Sequence, residues 1–217
     1  MININLNKYK TFIFDCDGVI LNSNKIKSIS FRNVTKKFGD KESEKFYNYH
    51  IDNGGVSRNE KFKYFVNNIL NIKDEKLINN LIFEYSNNIY NSLLECEVSH
   101  CLSKLKKKFN LIEWLVLTGG NEKEVKKIFK KKEIFHFESK NIYGSPKSKY
   151  ENYKKLKENK VIKFPIIFFG DSKYDYQFAK DNNIDFIFVN EWTESKDWDG
   201  FCKKNNIKTI KNLCELI

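Results

Sequence analysis

The 217-residue sequence has no apolar run approaching the roughly twenty residues of a membrane span. Residues 1–10 lack the apolar centre of a secretory signal, so a cytoplasmic protein is expected. Cysteine is sparse. Cys16, Cys96, Cys101, Cys202 and Cys214 form an odd set without a Cys-x-x-Cys pair, which fits reduced thiols better than a disulfide framework. Cys96, His100 and Cys101 lack a fourth partner at a zinc spacing and are read as structural. Arginine is nearly absent: only Arg32 and Arg58 stand among 39 basic residues, whereas base-edge and bidentate phosphate recognition favour arginine. The formal charge of +11 is therefore read as lysine spread over solvated surface, and no nucleic-acid or membrane partner is expected. Internal repeats and low-complexity linkers are missing as well.

Hydrophobic residues make up 41% of the chain, enough for a globular core. Short apolar blocks at 11–14, 114–117, 166–169 and 186–189 are each followed by turn chemistry. Helical patterns lie between or after them at 99–109, 122–131 behind an Asn121 cap, 149–156, 174–180 and 210–217. This alternation predicts an α/β protein with a Rossmann-like parallel sheet covered by helices on both faces. One region departs from it. Residues 24–91 contain no buried strand, only helical stretches at 25–38, 59–70 and 75–91. The expected organisation is a core of 1–23 and 92–217, with 24–91 inserted after the first strand as a helical cap.

Chemistry-bearing residues gather where the apolar blocks end. The first block runs into Asp15-Cys16-Asp17-Gly18, and strand alternation sends Asp15 and Asp17 to one side, at the edge where open α/β sheets bind ligands. Two carboxylates so close need a cation or a shared proton. The second block is followed by Thr118-Gly119-Gly120-Asn121, a hydroxyl and backbone amides able to face an anion. After the third block come Asp171 and Asp175 in Gly170-Asp171-Ser172-Lys173-Tyr174-Asp175, and Gly144-Ser145-Pro146-Lys147-Ser148-Lys149 sets a lysine at a helix start. Hard oxygen ligands of this kind suit Mg²⁺ together with a substrate phosphate, which points to phosphoryl transfer.

Across nearly its whole length the chain resembles the haloacid dehalogenase superfamily of phosphatases and phosphomutases. Asp15-Cys16-Asp17-Gly18-Val19 is similar to the family's first motif, Thr118-Gly119 to its second and Gly170-Asp171-Ser172-x-x-Asp175 to its fourth. The resemblance implies that Asp15 attacks phosphorus and that Asp17 serves as acid and then base. It also implies Mg²⁺ held by Asp15, the Asp17 backbone carbonyl and Asp171, with Asp175 supporting the ion from behind. Thr118, Gly18, Gly119 and Gly120 would line the phosphate. The third motif departs from its relatives: Ser145 stands where a branch of the family has lysine. Either Lys147 or Lys149 must take that role, with Lys149 preferred.

The helical insertion resembles the cap of the phosphoglycolate phosphatase and β-phosphoglucomutase branch. Ser57 and Glu60 have capping-box spacing, which places Arg58 in a first helical turn where the dipole disfavours a cation. Arg58 and the Asn53-Gly54-Gly55 turn are therefore expected to read the leaving group. His50 could join them, although a lone histidine next to tyrosines is more often a packing residue. Tyr47, Tyr49, Phe62 and Phe65 are read as cap core. The expected activity is Mg²⁺-dependent hydrolysis of a small sugar, polyol or amino-alcohol phosphate, possible in surface-polysaccharide synthesis, by a monomer or weak dimer. A phosphosugar mutase and a non-catalytic binding module of the same fold are the alternatives.

Overall fold

The computed structural model describes residues 5–217. Six parallel strands run in the order β3-β2-β1-β4-β5-β6. They are β1 Thr11–Phe14, β2 Glu113–Asn121, β3 Ile142–Ser145, β4 Ile166–Gly170, β5 Asp185–Val189 and β6 Lys208–Ile210. Strand β1 is flanked by β2 and β4, and Phe14 is in register with both Val116 and Phe169. The order reverses between β1 and β4. That reversal opens a crevice at the carboxyl ends of these two strands.

Alternation along the strands divides the core. Phe12, Phe14, Trp114, Val116 and Phe169 face one side, where α5 (Leu102–Lys108) and α6 (Glu122–Lys131) add Leu105, Ile128 and Phe129. Ile13, Leu115, Leu117 and Phe168 face the other, against Tyr153 of α7 (Lys149–Glu158) and Phe178 of α8 (Lys173–Asp181). Both faces are thus dry, which is why these strands read as continuous apolar runs. Asn121 caps α6 as the sequence suggests, its side chain accepting from Glu124 N at 3.0 Å.

The helical insertion follows β1. It comprises α1 (Asn24–Thr35), α2 (Asp40–Asp52), α3 (Arg58–Tyr64), a π-helical turn (Phe65–Ile69) and α4 (Glu75–Glu95). Ser57 caps α3, accepting from Glu60 N at 3.3 Å. Phe31, Phe46, Phe62, Phe65 and Tyr85 pack into an aromatic cluster. Phe62 and Phe65 are therefore cap core, as expected, while Tyr49 is half-buried and stacks on Tyr64 at a ring distance of 3.7 Å.

Several elements differ from the sequence reading. Residues 210–217 are the end of β6 followed by a 3-10 turn (Leu213–Leu216) rather than a helix. Strands β3 and β6 are short edges, and α2 and α9 (Trp198–Lys204) bury little, so none carries a strong apolar pattern. The reduced-thiol expectation fails for one pair. Packing of α5 against the C-terminal turn brings the Cα atoms of Cys101 and Cys214 to 5.2 Å, and the two are joined by a disulfide. A sequence separation of 113 hides that proximity. Among the described residues no helix is long and apolar enough to cross a membrane. Since Cys16, Cys96 and Cys202 are free and buried, thiol titration of the unreduced protein should find these three reactive only after denaturation. A count of five in denaturant would exclude the disulfide.

Candidate active site

Asp15 follows directly on β1, its amide donating to Phe169 O at 2.9 Å, so the carboxylate emerges at the β1/β4 crevice. Asp171, just beyond β4, and Asp175, in the first turns of α8, stand beside it. All three are buried, and a carboxylate oxygen from each lies within 4.8 Å of the others. The chain turns away through Gly18, whose φ of +78° suits glycine and whose missing side chain leaves room for the Asp171 carboxylate and Asn24.

Lys149 is the fully buried cation of this cluster. Its ammonium stands 3.0 Å from Asp15 Oδ1 and donates to Asp175 Oδ1. It is aimed there by the start of α7, where Ser148 and Glu151 form a reciprocal capping box. Lys147, by contrast, is exposed at the surface. Of the two candidate lysines the structure brings only Lys149 to the carboxylates, and Lys147 is a solvated side chain away from them. Asp175 Oδ2 accepts from Ser172 Oγ at 2.7 Å and Asp171 N at 3.3 Å, so with Lys149 on its other oxygen it braces the cluster.

Burial pushes the Asp15 carboxyl up; Lys149 opposes this, and Asp175 and Asp17 add to it. Burial raises Asp171 as well, followed by repulsion from Asp175 and Asp15. Asp15 Oδ1, although at ion-pair distance from Lys149, has no hydrogen-bond partner among the described residues. Buried oxygens that repel one another and retain an unspent acceptor fit a hard divalent cation.

The Asp17 side chain stands apart from the other carboxylates, so it is the backbone carbonyl, not the carboxylate, that could serve as the expected metal ligand. Its carboxylate takes hydrogen bonds from Lys27 Nζ and Ser23 Oγ, each at 2.5 Å, and lies outside the carboxylate trio. Burial would raise its pKa, but Lys27 and Ser23 together hold it below the usual carboxylate range. Only its backbone carbonyl remains a candidate ligand. Thr118 is buried with Oγ1 accepting from Gly120 N at 2.9 Å, so it holds its own turn and does not line the cavity. Gly119 and Gly120 do line it, and a side chain at Gly119 would strike the Gly55 carbonyl.

The cavity of ≈ 80 Å³ lies between the sheet edge and the helical insertion. His50, Gly54, Gly55 and Arg58 are among its lining residues, whereas Asn53 is not. The Asn53 side chain instead donates to Tyr49 O at 2.8 Å and closes the end of α2. Arg58 also departs from its expected role. Its guanidinium is bidentate on Glu124 of α6 and donates to Ser86 at 2.7 Å. The anion that a misplaced first-turn cation implied is therefore a carboxylate of the protein itself, favourably set near the N-terminus of α6.

Asn24, Lys27, Thr193 and Glu194 line the cavity and escaped the sequence reading, as did their neighbour Ser28. Asn24, Lys27 and Ser28 share one face of α1 by their i, i+3, i+4 spacing. Asn24 donates to Asp171 Oδ2 at 2.6 Å and to Trp192 O at 2.9 Å. Ser28 donates to Glu194 in the loop after β5, and Thr193 Oγ1 donates to Asp171 O at 2.6 Å. Helical spacing was the available signal, masked by the abundance of Lys, Asn and Ser throughout the chain.

The profile of the haloacid dehalogenase-like hydrolase family matches residues 12–189. The chain belongs to that family. Solved structures share its fold over nearly its full length. One is a family IA, variant 3 hydrolase from Entamoeba histolytica, with a TM-score of 0.74 and 15% identity over 96% of this chain and 95% of that one. A protein from Clostridium acetobutylicum described as a predicted phosphatase has a TM-score of 0.71 and 22% identity, covering 96% of each chain. Another, from Bacteroides vulgatus and provisionally described as a β-phosphoglucomutase, has a TM-score of 0.72 and 16% identity over 94% of this chain and 84% of that one. At these identities the likeness is one of fold. No curated protein matches the sequence.

Within this hydrolase the Arg58–Glu124 pair is nearly dry, with side chains 4% and 12% exposed. Arg58→Met alone should strand Glu124 and lower the urea-unfolding free energy by about 3–5 kcal/mol, whereas adding Glu124→Leu should recover most of the loss. Equal losses in the single and double variants would show that the pairing is not what holds this contact.

Proposed function

We propose that this hydrolase cleaves small phosphomonoesters with the help of Mg²⁺, through a phosphoenzyme on Asp15, with residues 24–91 acting as a cap over the site. The observation that carries the reading is the buried trio of Asp15, Asp171 and Asp175 with Lys149 among them. A nucleophilic carboxylate, a fixed cation and a set of hard oxygen donors are the parts that phosphoryl transfer requires. Asp15, Asp171 and the Asp17 backbone carbonyl would hold Mg²⁺, which supplies charge neutralisation at the phosphate oxygens, while Asp175 braces Lys149.

The chain's own groups account for the remaining steps. An Asp15 oxygen attacks phosphorus as the P–O bond to the leaving alcohol breaks, forming an acyl phosphate. Lys149, already charge-paired with Asp15, is placed to balance the charge spreading over the phosphoryl oxygens. Asp17 gives a proton to the departing alkoxide and later takes one from the water that hydrolyses the acyl phosphate. Ionised between Lys27 and Ser23, it is in the form that the second step needs. Entry of a phosphate dianion raises its proton affinity and favours the form that the first step needs.

Phosphate release from p-nitrophenyl phosphate tests this reading. Release should require Mg²⁺, stop with EDTA and fall by at least about 10³-fold in Asp15→Asn. Lys149→Met should lower kcat by about 10²–10³-fold with a smaller effect on KM. Full activity in Asp15→Asn would overturn the mechanism, and isomerisation of a sugar phosphate without release of inorganic phosphate would favour a mutase.

A further inference from the structure

Three buried cations face the cavity from the helical insertion: Lys27, Arg58 and Lys61. Lys27 is neutralised by Asp17 and Arg58 by Glu124. Lys61, in α3 and only 3% exposed, has no carboxylate within ion-pair distance among the described residues. Its hydrogen-bond partner is His50 Nδ1 at 2.8 Å, and its other neighbour is the Phe31 ring at 5.5 Å.

The geometry around His50 defines what this lysine can still bind. His50 Nε2 meets Ser28 Oγ at 3.0 Å, and the single hydroxyl proton of Ser28 is directed to Glu194 or Asn24 O. Ser28 therefore accepts from Nε2–H, which leaves Nδ1 as the acceptor for Lys61. A neutral imidazole orients the ammonium without supplying a countercharge. Burial holds the His50 pKa well below its ordinary value, with Lys61 and Lys27 adding to the effect, in keeping with this tautomer. Two of the three N–H groups of the Lys61 ammonium remain unspent beside the cavity that the residue helps to line. Burial, followed by repulsion from Lys27, pushes the Lys61 pKa down to about 7, although Asp17, Asp171 and Glu194 pull the other way. An anion in the cavity would restore the charged form that burial disfavours, which is the partner this position lacks.

We propose that Lys61, oriented by His50, determines specificity by holding an anionic oxygen group, a carboxylate or a second phosphate, on the alcohol portion of the substrate. The inference rests on the phosphatase reading above and narrows its substrate class. It selects against amino-alcohol phosphates, whose ammonium would meet Lys61, and against plain polyol phosphates, which would leave it unpaired.

The test compares probes that differ in leaving-group charge: 3-phosphoglycerate against glycerol 3-phosphate for a carboxylate, and fructose 1,6-bisphosphate against fructose 6-phosphate for a second phosphate. In the unaltered enzyme the anionic member of at least one pair should be preferred by about 10-fold or more in kcat/KM. Lys61→Met should collapse that ratio mainly through KM, and Lys61→Arg should preserve it. The wild-type ratios need no variant, so a Lys61→Met protein that misfolds leaves the proposal open to refutation. Should p-nitrophenyl phosphate be hydrolysed in an Asp15-dependent way while neither pair shows a preference, or a preference survive in Lys61→Met, the anion subsite is wrong. If no phosphomonoester is hydrolysed at all, the phosphatase reading fails and carries this inference down with it.

Discussion

The placement of buried carboxylates at the meeting of β1 and β4 is the constraint on which the rest of the structure depends. Asp15, Asp171 and Asp175 are all buried, and among the described residues Lys149 is the cation at ion-pair distance from two of them, Asp15 and Asp175. Each neighbouring element serves that arrangement. The capping box of α7 delivers the lysine, Ser172 and the Asp171 amide fix Asp175, and Gly18 lets the chain pass close to Asp171. A buried carboxylate left without such partners would take up a proton and lose its value as a nucleophile.

The helical insertion meets this cluster with charge of its own. Lys27 reaches Asp17, Asn24 reaches Asp171, Ser28 reaches Glu194 and Arg58 reaches Glu124. All four contacts cross from the insertion to the sheet side, and each is polar. Polar ties of this kind fix orientation strongly while remaining exchangeable for solvent or substrate contacts, which suits a cover that must admit a ligand. Lys61 lies on the same insertion without a carboxylate partner among the described residues, which is why the proposed substrate selection is placed there.

Much of this was legible in the sequence because it is encoded locally. The strands β1, β2, β4 and β5 announce themselves as apolar blocks, since burial on both faces leaves no polar alternation to confuse them. The caps at Asn121 and Ser57 are short-range hydrogen bonds between neighbouring residues and follow from spacing alone. Asp15 and Asp171 were legible because each sits just past the end of such a strand. Strands β3 and β6 were not, being short edges with few apolar residues, and residues 210–217 look helical by periodicity although they finish a strand and a turn.

The sequence alone was enough to establish the class of sheet, the insertion after its first strand and the line of acidic residues at its carboxyl edge. These depend on periodicity and on residue types a few positions apart. Only the tertiary structure decided which lysine is dry, which anion Arg58 meets, that Asp17 is tied to Lys27 rather than to the other carboxylates, and that Cys101 joins Cys214. Those outcomes depend on burial and on distances between residues far apart in the chain. In a sequence so rich in lysine, a side chain's identity says little about its charge environment until the fold determines which of them lose their water.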